Sequence, residues 1–148
     1  MDDSDEVLLA RIDGSGSDSE WEAIDALRER LGVRLAEHLL ALYKKSRSWK
    51  PRSACVYHST RFARESDSAI ELGVLALDDK SQTVRYRACL LLAYSLKKAL
   101  LPRLYARLDS IRPDTRQDLE AAIDAIQHKN HHYFVDREHS GQMTLNIA

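Results

Sequence analysis

The stretch from Asp78 to Leu108, DDKSQTVRYRACLLLAYSLKKALLPRLYARL, limits what this chain can fold into more than any other. From about Thr83 to Leu96, the residues Val84, Ala88, Leu91, Leu92 and Ser95 follow one face of a 3.6-residue period, and Cys89, Leu90, Ala93 and Leu96 make the adjoining face apolar as well. A helix with so little polar surface must be covered on several sides. The segment after it differs. Leu100, Leu101, Leu104 and Leu108 line a single stripe, with Arg103 and Arg107 opposite. The pattern predicts a central helix and a one-sided helix lying against it.

The remainder reads as helix too, since prolines and glycines are few and Ala, Leu, Arg and Glu are abundant. Residues 1–16 are acidic and end in Gly14-Ser15-Gly16, which predicts a flexible arm in which Val7, Leu8, Leu9 and Ile12 could dock as one turn. Residues 17–128 form the expected helical domain. Ser17-x-x-Glu20 is a capping box, and Trp21, Ile24, Leu27 and Leu31 form the stripe of a helix over about 18–31 that Gly32 stops. A second helix over about 33–45 buries Leu35, Leu39, Leu42 and Tyr43, and the short join implies a hairpin. Ser46–Lys50 reads as a basic loop, with Pro51 at a first helical position. A third helix over about 52–65 turns Cys55, Val56, Ser59 and Phe62 inward, and Ser68-x-x-Glu71 opens a fourth that runs to Leu77. Asp79 is the expected cap of the central helix. Asp114-x-x-Gln117 caps the last, in which Leu119, Ala122, Ile123 and Ile126 face inward. In residues 129–148, Tyr133-Phe134-Val135 and the alternating Met143–Ile147 flank a Ser-Gly turn, predicting a short C-terminal β-hairpin or extended flap packed on the last helices.

Leu77-Asp78-Asp79, a few polar residues, Val84-Arg85, then Arg87-Ala88-Cys89 and the leucine-rich run resemble the inter-helix turn and second helix of a HEAT-type repeat. Ala99–Leu104, with Pro102 inside, is similar to the start of the next repeat's first helix. A shift of 31 residues sets Leu77 on Leu108 and Arg85 on Arg116; a shift back by 34 sets Ala88-Cys89 on Ala54-Cys55. Periods of this size belong to helical-hairpin repeats. The resemblance spans roughly residues 33–127 and implies an all-α, HEAT-like hairpin array in which carboxylates of the turn pair with arginines of the next repeat. It says little about function, because such scaffolds carry many activities.

No apolar run approaches the roughly 18 residues of a membrane span. The first residues are acidic where a secretion signal would be basic, so a cytoplasmic setting is expected. Cys55 and Cys89 sit in apolar company and read as reduced core thiols. The net charge of −1 hides a division. Residues 1–30 carry ten carboxylates against three arginines, whereas residues 31–64 carry eight Lys and Arg against Glu37 alone. Asymmetry of this kind bears on partners more than on fold.

The candidate sites are few. Lys44, Lys45, Arg47, Trp49, Lys50 and Arg52 set an aromatic among cations, a composition suited first to docking an acidic protein or the chain's own acidic arm, next to a solvated loop with Trp49 tucked onto the core, and third to phosphate neutralisation with base stacking. His128, His131 and His132 have a spacing that can hold zinc or nickel if the helix continues, with His139 and Asp136 nearby. Asn130 is expected to end that helix and scatter the rings, so the histidines read as end-of-helix residues favoured by the macrodipole, and no metal is expected. Asp136, Glu138, Ser140, Gly141 and Met143 fall at calcium-loop positions, but the twelfth, where a bidentate glutamate belongs, is Ile147. Cys55 and His58 could touch on one helix, yet no third orienting group is in view, and core packing is the expectation. Phosphate loops, nucleophile elbows and HExxH motifs do not occur.

The expected function is therefore non-catalytic protein binding through Lys44–Arg52, with no cofactor and no small-molecule substrate. In format, a compact helical domain with no evident catalytic site, the chain is similar to bacterial immunity proteins, which implies neutralisation of a toxin domain by occlusion. The alternative is a nucleic-acid-binding helical-repeat protein using the same loop. HEAT-like DNA glycosylases show that such scaffolds can also act on DNA.

Overall fold

The computed structural model describes residues 3–148; Met1 and Asp2 of the expected arm lie outside the described residues. Among the described residues there are eight α-helices: α1 (Asp3–Ala10), α2 (Asp18–Leu31), α3 (Leu35–Lys45), α4 (Trp49–Ser59), α5 (Asp67–Ala76), α6 (Gln82–Ser95), α7 (Leu101–Arg107) and α8 (Arg116–Gln127). The fold is all-α. None of these helices is long and apolar enough to cross a membrane.

The central helix is where its composition demands. α6 packs against α4, α5 and α8, and its Val84, Ala88, Cys89, Leu91, Leu92 and Ala93 have no exposed surface. α5 can come close because it carries Gly73: a Cβ there would stand 2.8 Å from a Leu91 methyl and 3.0 Å from one of Leu92. α3 with α4, α5 with α6 and α7 with α8 pack as successive hairpins. The second members α4, α6 and α8 lie side by side, and α3 and α5 pack on each other behind them.

One polar connection occurs twice along this array. Arg52, the fourth residue of α4, reaches Asp79 in the turn before α6, with Nε 2.8 Å and Nη2 3.2 Å from the carboxylate. Arg85, the fourth residue of α6, reaches Asp114 in the turn before α8 with Nη2 3.1 Å from both carboxylate oxygens. Each turn carboxylate is thus held by an arginine of the hairpin before it. The pairing in the expected direction also occurs, between Arg107 of α7 and Asp78.

Several local expectations are corrected. α1 is a helix with Leu9 and, just after it, Ile12 in the core, and Asp5 bonds Arg30 at 3.1 Å, so this part of the chain is docked on α2. α5 is capped by the Ser66 hydroxyl, which accepts from the Ala69 amide, and α6 by Ser81, which accepts from Val84. Ser68 and Asp79 are not those caps. Asp79 is turned to Tyr43 and Arg52 instead, and Asp114 is turned to Arg85. α4 begins at Trp49, which puts Pro51 third in the helix, still within the turn where a missing N–H costs nothing.

The C-terminal β-hairpin does not form; there is no strand among the described residues. His131–Phe134 is a 3-10 turn whose Phe134 is fully buried, capped by Asn130 accepting from the His132 amide. Side chains then take the backbone donors that a strand partner would need. Asp136 accepts from the amides of Ser140 and Gly141, and His132 Nδ1 accepts from the Leu145 amide at 2.9 Å. What remains is an irregular segment resting on the core through Leu145.

Candidate functional site: the basic edge, a buried pair and the histidines

The six predicted docking residues fall on the corner between α3 and α4, but they do not act alike. Ser46 closes α3, its hydroxyl donating to the Leu42 carbonyl, and extended Ser48 leads into α4. Arg52 is folded under this corner. Besides Asp79 it donates to the carbonyls of Ser46 and Arg47, so it stitches the loop to the next turn. Asp79 bonds the Tyr43 hydroxyl at 2.6 Å. Burial, reinforced by the Asp79 carboxylate, pushes the Tyr43 phenol up, which keeps it a neutral donor. Lys44 leans toward Glu71 at 3.7 Å.

Lys45, Arg47 and Lys50 are exposed, and they carry no ion pair among the described residues. Trp49 stands between them, 45% exposed, with the Lys50 ammonium 6.0 Å from its ring centre. A cleft of about 390 Å³ lined by Arg47, Arg52, Asp78, Asp79 and Lys80 opens beside it. Gly14, at φ +81°, backs this corner so closely that a Cβ would lie 2.2 Å from the Lys50 carbonyl oxygen.

Behind that contact lies a pair that sequence reasoning missed. Glu20, the acid of the first capping box, is 3% exposed and accepts both from the Gly14 amide at 2.6 Å and from His58 Nε2 at 2.9 Å. Burial lowers the His58 pKa despite the carboxylate, so the neutral ring with its proton on Nε2 is the donor. Trp21 and Tyr57 meet the His58 ring edge-on, and the Arg87 guanidinium lies over Tyr57, 4.8 Å from its centre. These groups line a cavity of about 200 Å³. Cys55 is fully buried, and burial pushes its thiol up to about 12, opposite to what a nucleophile requires. His58 is committed to Glu20, not to Cys55. The residue types of a capping box gave no hint of a partner 38 positions away.

The histidines divide into two groups. His131 accepts at Nδ1 from Arg64 and meets Tyr94 edge-on, while His132 is occupied by the Leu145 amide. α8 ends at Gln127 with His128 as its C-cap and left-handed Lys129 after it, and this separates His128 from that pair. Asp136 bonds the Ser140 hydroxyl in addition to the amides of Ser140 and Gly141, so both its oxygens are engaged within its own turn. These bonds hold the pKa of Asp136 below the usual carboxylate value, the Ser140 side chain contributing most. That turn carries His139 back to α8, beside His128 and Asp124. The available signal was Asp124, one helical turn before His128.

Comparison with protein-family models, curated proteins and solved structures finds no match.

Proposed function

We propose that the chain is a non-catalytic protein-binding module whose basic edge docks an acidic protein surface. The observation that carries this reading is the state of the cations around Trp49: Lys45, Arg47 and Lys50 are exposed and unmatched by carboxylates among the described residues. A large aromatic beside arginine and lysine, on a corner held by the Arg52–Asp79 pair, is the composition of an interface anchor with a charged rim. Among the described residues, the arginine–carboxylate pairs of the acidic first thirty residues, Arg11–Glu22, Arg28–Asp25 and Arg30–Asp5, lie within that segment, and its Glu20 reaches out to His58 rather than to the basic edge. The hairpin succession and the twice-used arginine–aspartate connection support a HEAT-type repeat as the scaffold. The form of binding we assign is occlusion of a toxin domain, as immunity proteins of this format do.

The test is capture of binding proteins at physiological salt by the wild-type chain and by Trp49→Ala, Arg47→Ala with Lys50→Ala, and a Leu75→Ala control on α5, each checked for helix content. An acidic partner retained by Leu75→Ala and lost by the other two is expected. In parallel, generic single- and double-stranded DNA and RNA should associate only at low salt, because phosphate contacts weaken steeply as salt rises. Tight nucleic-acid binding that survives physiological salt and disappears in Trp49→Ala would replace docking by the nucleic-acid alternative.

A further inference from the structure

We propose that Asp124, His128 and His139 form a binding site for a divalent transition-metal ion of the zinc type. Their ligand atoms, one carboxylate oxygen and two ring nitrogens, all lie within 4.8 Å of one another. Asp124 Oδ1 is 3.1 Å from His128 Nδ1, and Asp124 Oδ2 is 2.6 Å from His139 Nε2. Around a tetrahedral ion bound at about 2.0–2.1 Å, neighbouring ligand atoms stand roughly 3.3–3.4 Å apart. To surround an ion, the 2.6 Å contact must open and any pair near the 4.8 Å limit must close, a rearrangement of no more than about 1.5 Å between ligand atoms. Two imidazoles and a carboxylate are a ligand set that zinc and its neighbours accept.

What separates this cluster from a chance meeting of polar side chains is how the rings are held. Asp124 and His128 are one turn apart at the end of α8 and so share a face. His139 comes from a different segment, in a left-handed backbone conformation at φ +55°, within the turn that Asp136 ties together. Tyr133 fixes both rings. It stacks on His139 with centres 3.7 Å apart and planes 10° apart, and it meets His128 edge-on at 5.5 Å. Ligands held in advance by packing and by supporting hydrogen bonds are the arrangement metal sites require.

From the neutral form of each ring, binding moves the imidazole proton to the other nitrogen. The proton now shared between His128 Nδ1 and the Asp124 carbonyl and carboxylate shifts to Nε2, and that on His139 Nε2 shifts to Nδ1. The three protein ligands leave further coordination positions, and the side chains of His128 and His139 are partly exposed, so water completes the shell. An ion there would clamp the C-terminal segment to α8. His131 and His132 lie outside the site, since their rings are held by Arg64 and the Leu145 amide.

The experiment is calorimetric titration of the chelator-treated full chain with zinc alone, repeated on His139→Ala, on the near-isosteric Asp124→Asn and on His131→Ala with His132→Ala. One ion per chain is expected, with affinity reduced at least about tenfold in each of the first two variants, no less than the loss of a supporting residue brings elsewhere. The double variant should bind as the wild type does. Should His139→Ala lose helix content, Asp124→Asn carries the comparison. Absence of saturable uptake, or uptake unchanged in Asp124→Asn, overturns the assignment. Loss confined to the His131/His132 variant does the same.

Discussion

The two arginine–aspartate junctions use the same residue types at corresponding helix positions, yet they bury opposite ends of the pair. At the first junction the acid is inside: the Asp79 side chain is 3% exposed, and Arg52 reaches in from the edge at 15%. At the second the base is inside: Arg85 is 2% exposed and Asp114 is 49% exposed. An aspartate under the surface has few atoms with which to meet its donors, so Tyr43, Arg52 and the Ser81 amide must all come to it. A buried arginine has five N–H groups to distribute. Arg85 gives Nε to Thr115 Oγ1, Nη1 to the Asp79 carbonyl and Nη2 to Asp114. Whichever end is buried depends on its partners, while the exposed end can turn to water. The consequences of breaking each junction should differ accordingly.

The largest effect is expected at Asp79. Asp79→Ala removes the only carboxylate that Arg52 pairs with among the described residues and leaves the Tyr43 hydroxyl buried without its acceptor. Breaking a buried pair from one side costs about 3–5 kcal/mol. Chemical denaturation monitored by helix content measures this directly. A loss under about 1 kcal/mol, the scale of an exposed pair, would mean that Asp79 is more hydrated than its surroundings allow.

The same residue gives the junction a pH signature. Burial by itself would raise the Asp79 pKa, but hydrogen bonds from Arg52, Tyr43 and the Ser81 amide, with the Arg52 charge, outweigh it and hold the pKa below 3.8. A carboxyl depressed on folding stabilises the protein fully above its unfolded value, and that contribution is lost as pH falls through the lower folded value. The stability gap between wild type and Asp79→Ala should therefore be constant near neutrality and shrink below about pH 4. A gap that held at lower pH would point to lost packing in place of lost charge.

How much of this was legible in the sequence follows from the range of each interaction. The limits of α2 were readable because its signals are local: Ser17 caps it, and Gly32 ends it at φ +57°. The central position of α6 followed from its apolar surface, although Arg85 within it could not be foreseen as buried. The caps misread at Ser68 and Asp79 show the limit. Each was a sound local candidate, and Asp79 was drawn away by Tyr43 and Arg52, 36 and 27 residues distant. The alternation in Met143–Ile147 suggested a strand, but strand formation needs free donors, and His132 and Asp136 had taken several. At the basic edge the residue types were plain. Which cations would be spent internally depended on those same distant acids.

A smaller change is expected at Arg85. Arg85→Met keeps much of the apolar stem and removes the charge, so the loss reduces to hydrogen bonds. The Asp79 carbonyl and the Thr115 hydroxyl lose a donor, at about 1–3 kcal/mol for buried groups left unmatched. The lost desolvation burden of the guanidinium offsets part of this. A net stabilisation would show that the buried charge costs more than its bonds return.

The smallest effect should come from Asp114, and it tests the comparison most sharply because its partner is the most buried arginine of the fold. If buried charge alone decided the outcome, uncovering Arg85 would be as damaging as removing Asp79. The geometry argues otherwise. Only Nη2 turns to Asp114, on the part-buried side of the group, and the half-exposed carboxylate shows that water reaches that side. Nε and Nη1 keep Thr115 Oγ1 and the Asp79 carbonyl, so no donor is stranded in the core. Thr115, whose hydroxyl lies 3.1 Å from Asp114 Oδ1, can turn its proton elsewhere. Asp114→Ala is therefore expected to cost no more than about 1 kcal/mol, and less at high salt, as exposed pairs do. Denaturation of Asp114→Ala beside Asp79→Ala at low and high salt decides it: equal losses would mean that the buried member of a pair sets the cost regardless of which partner water can replace.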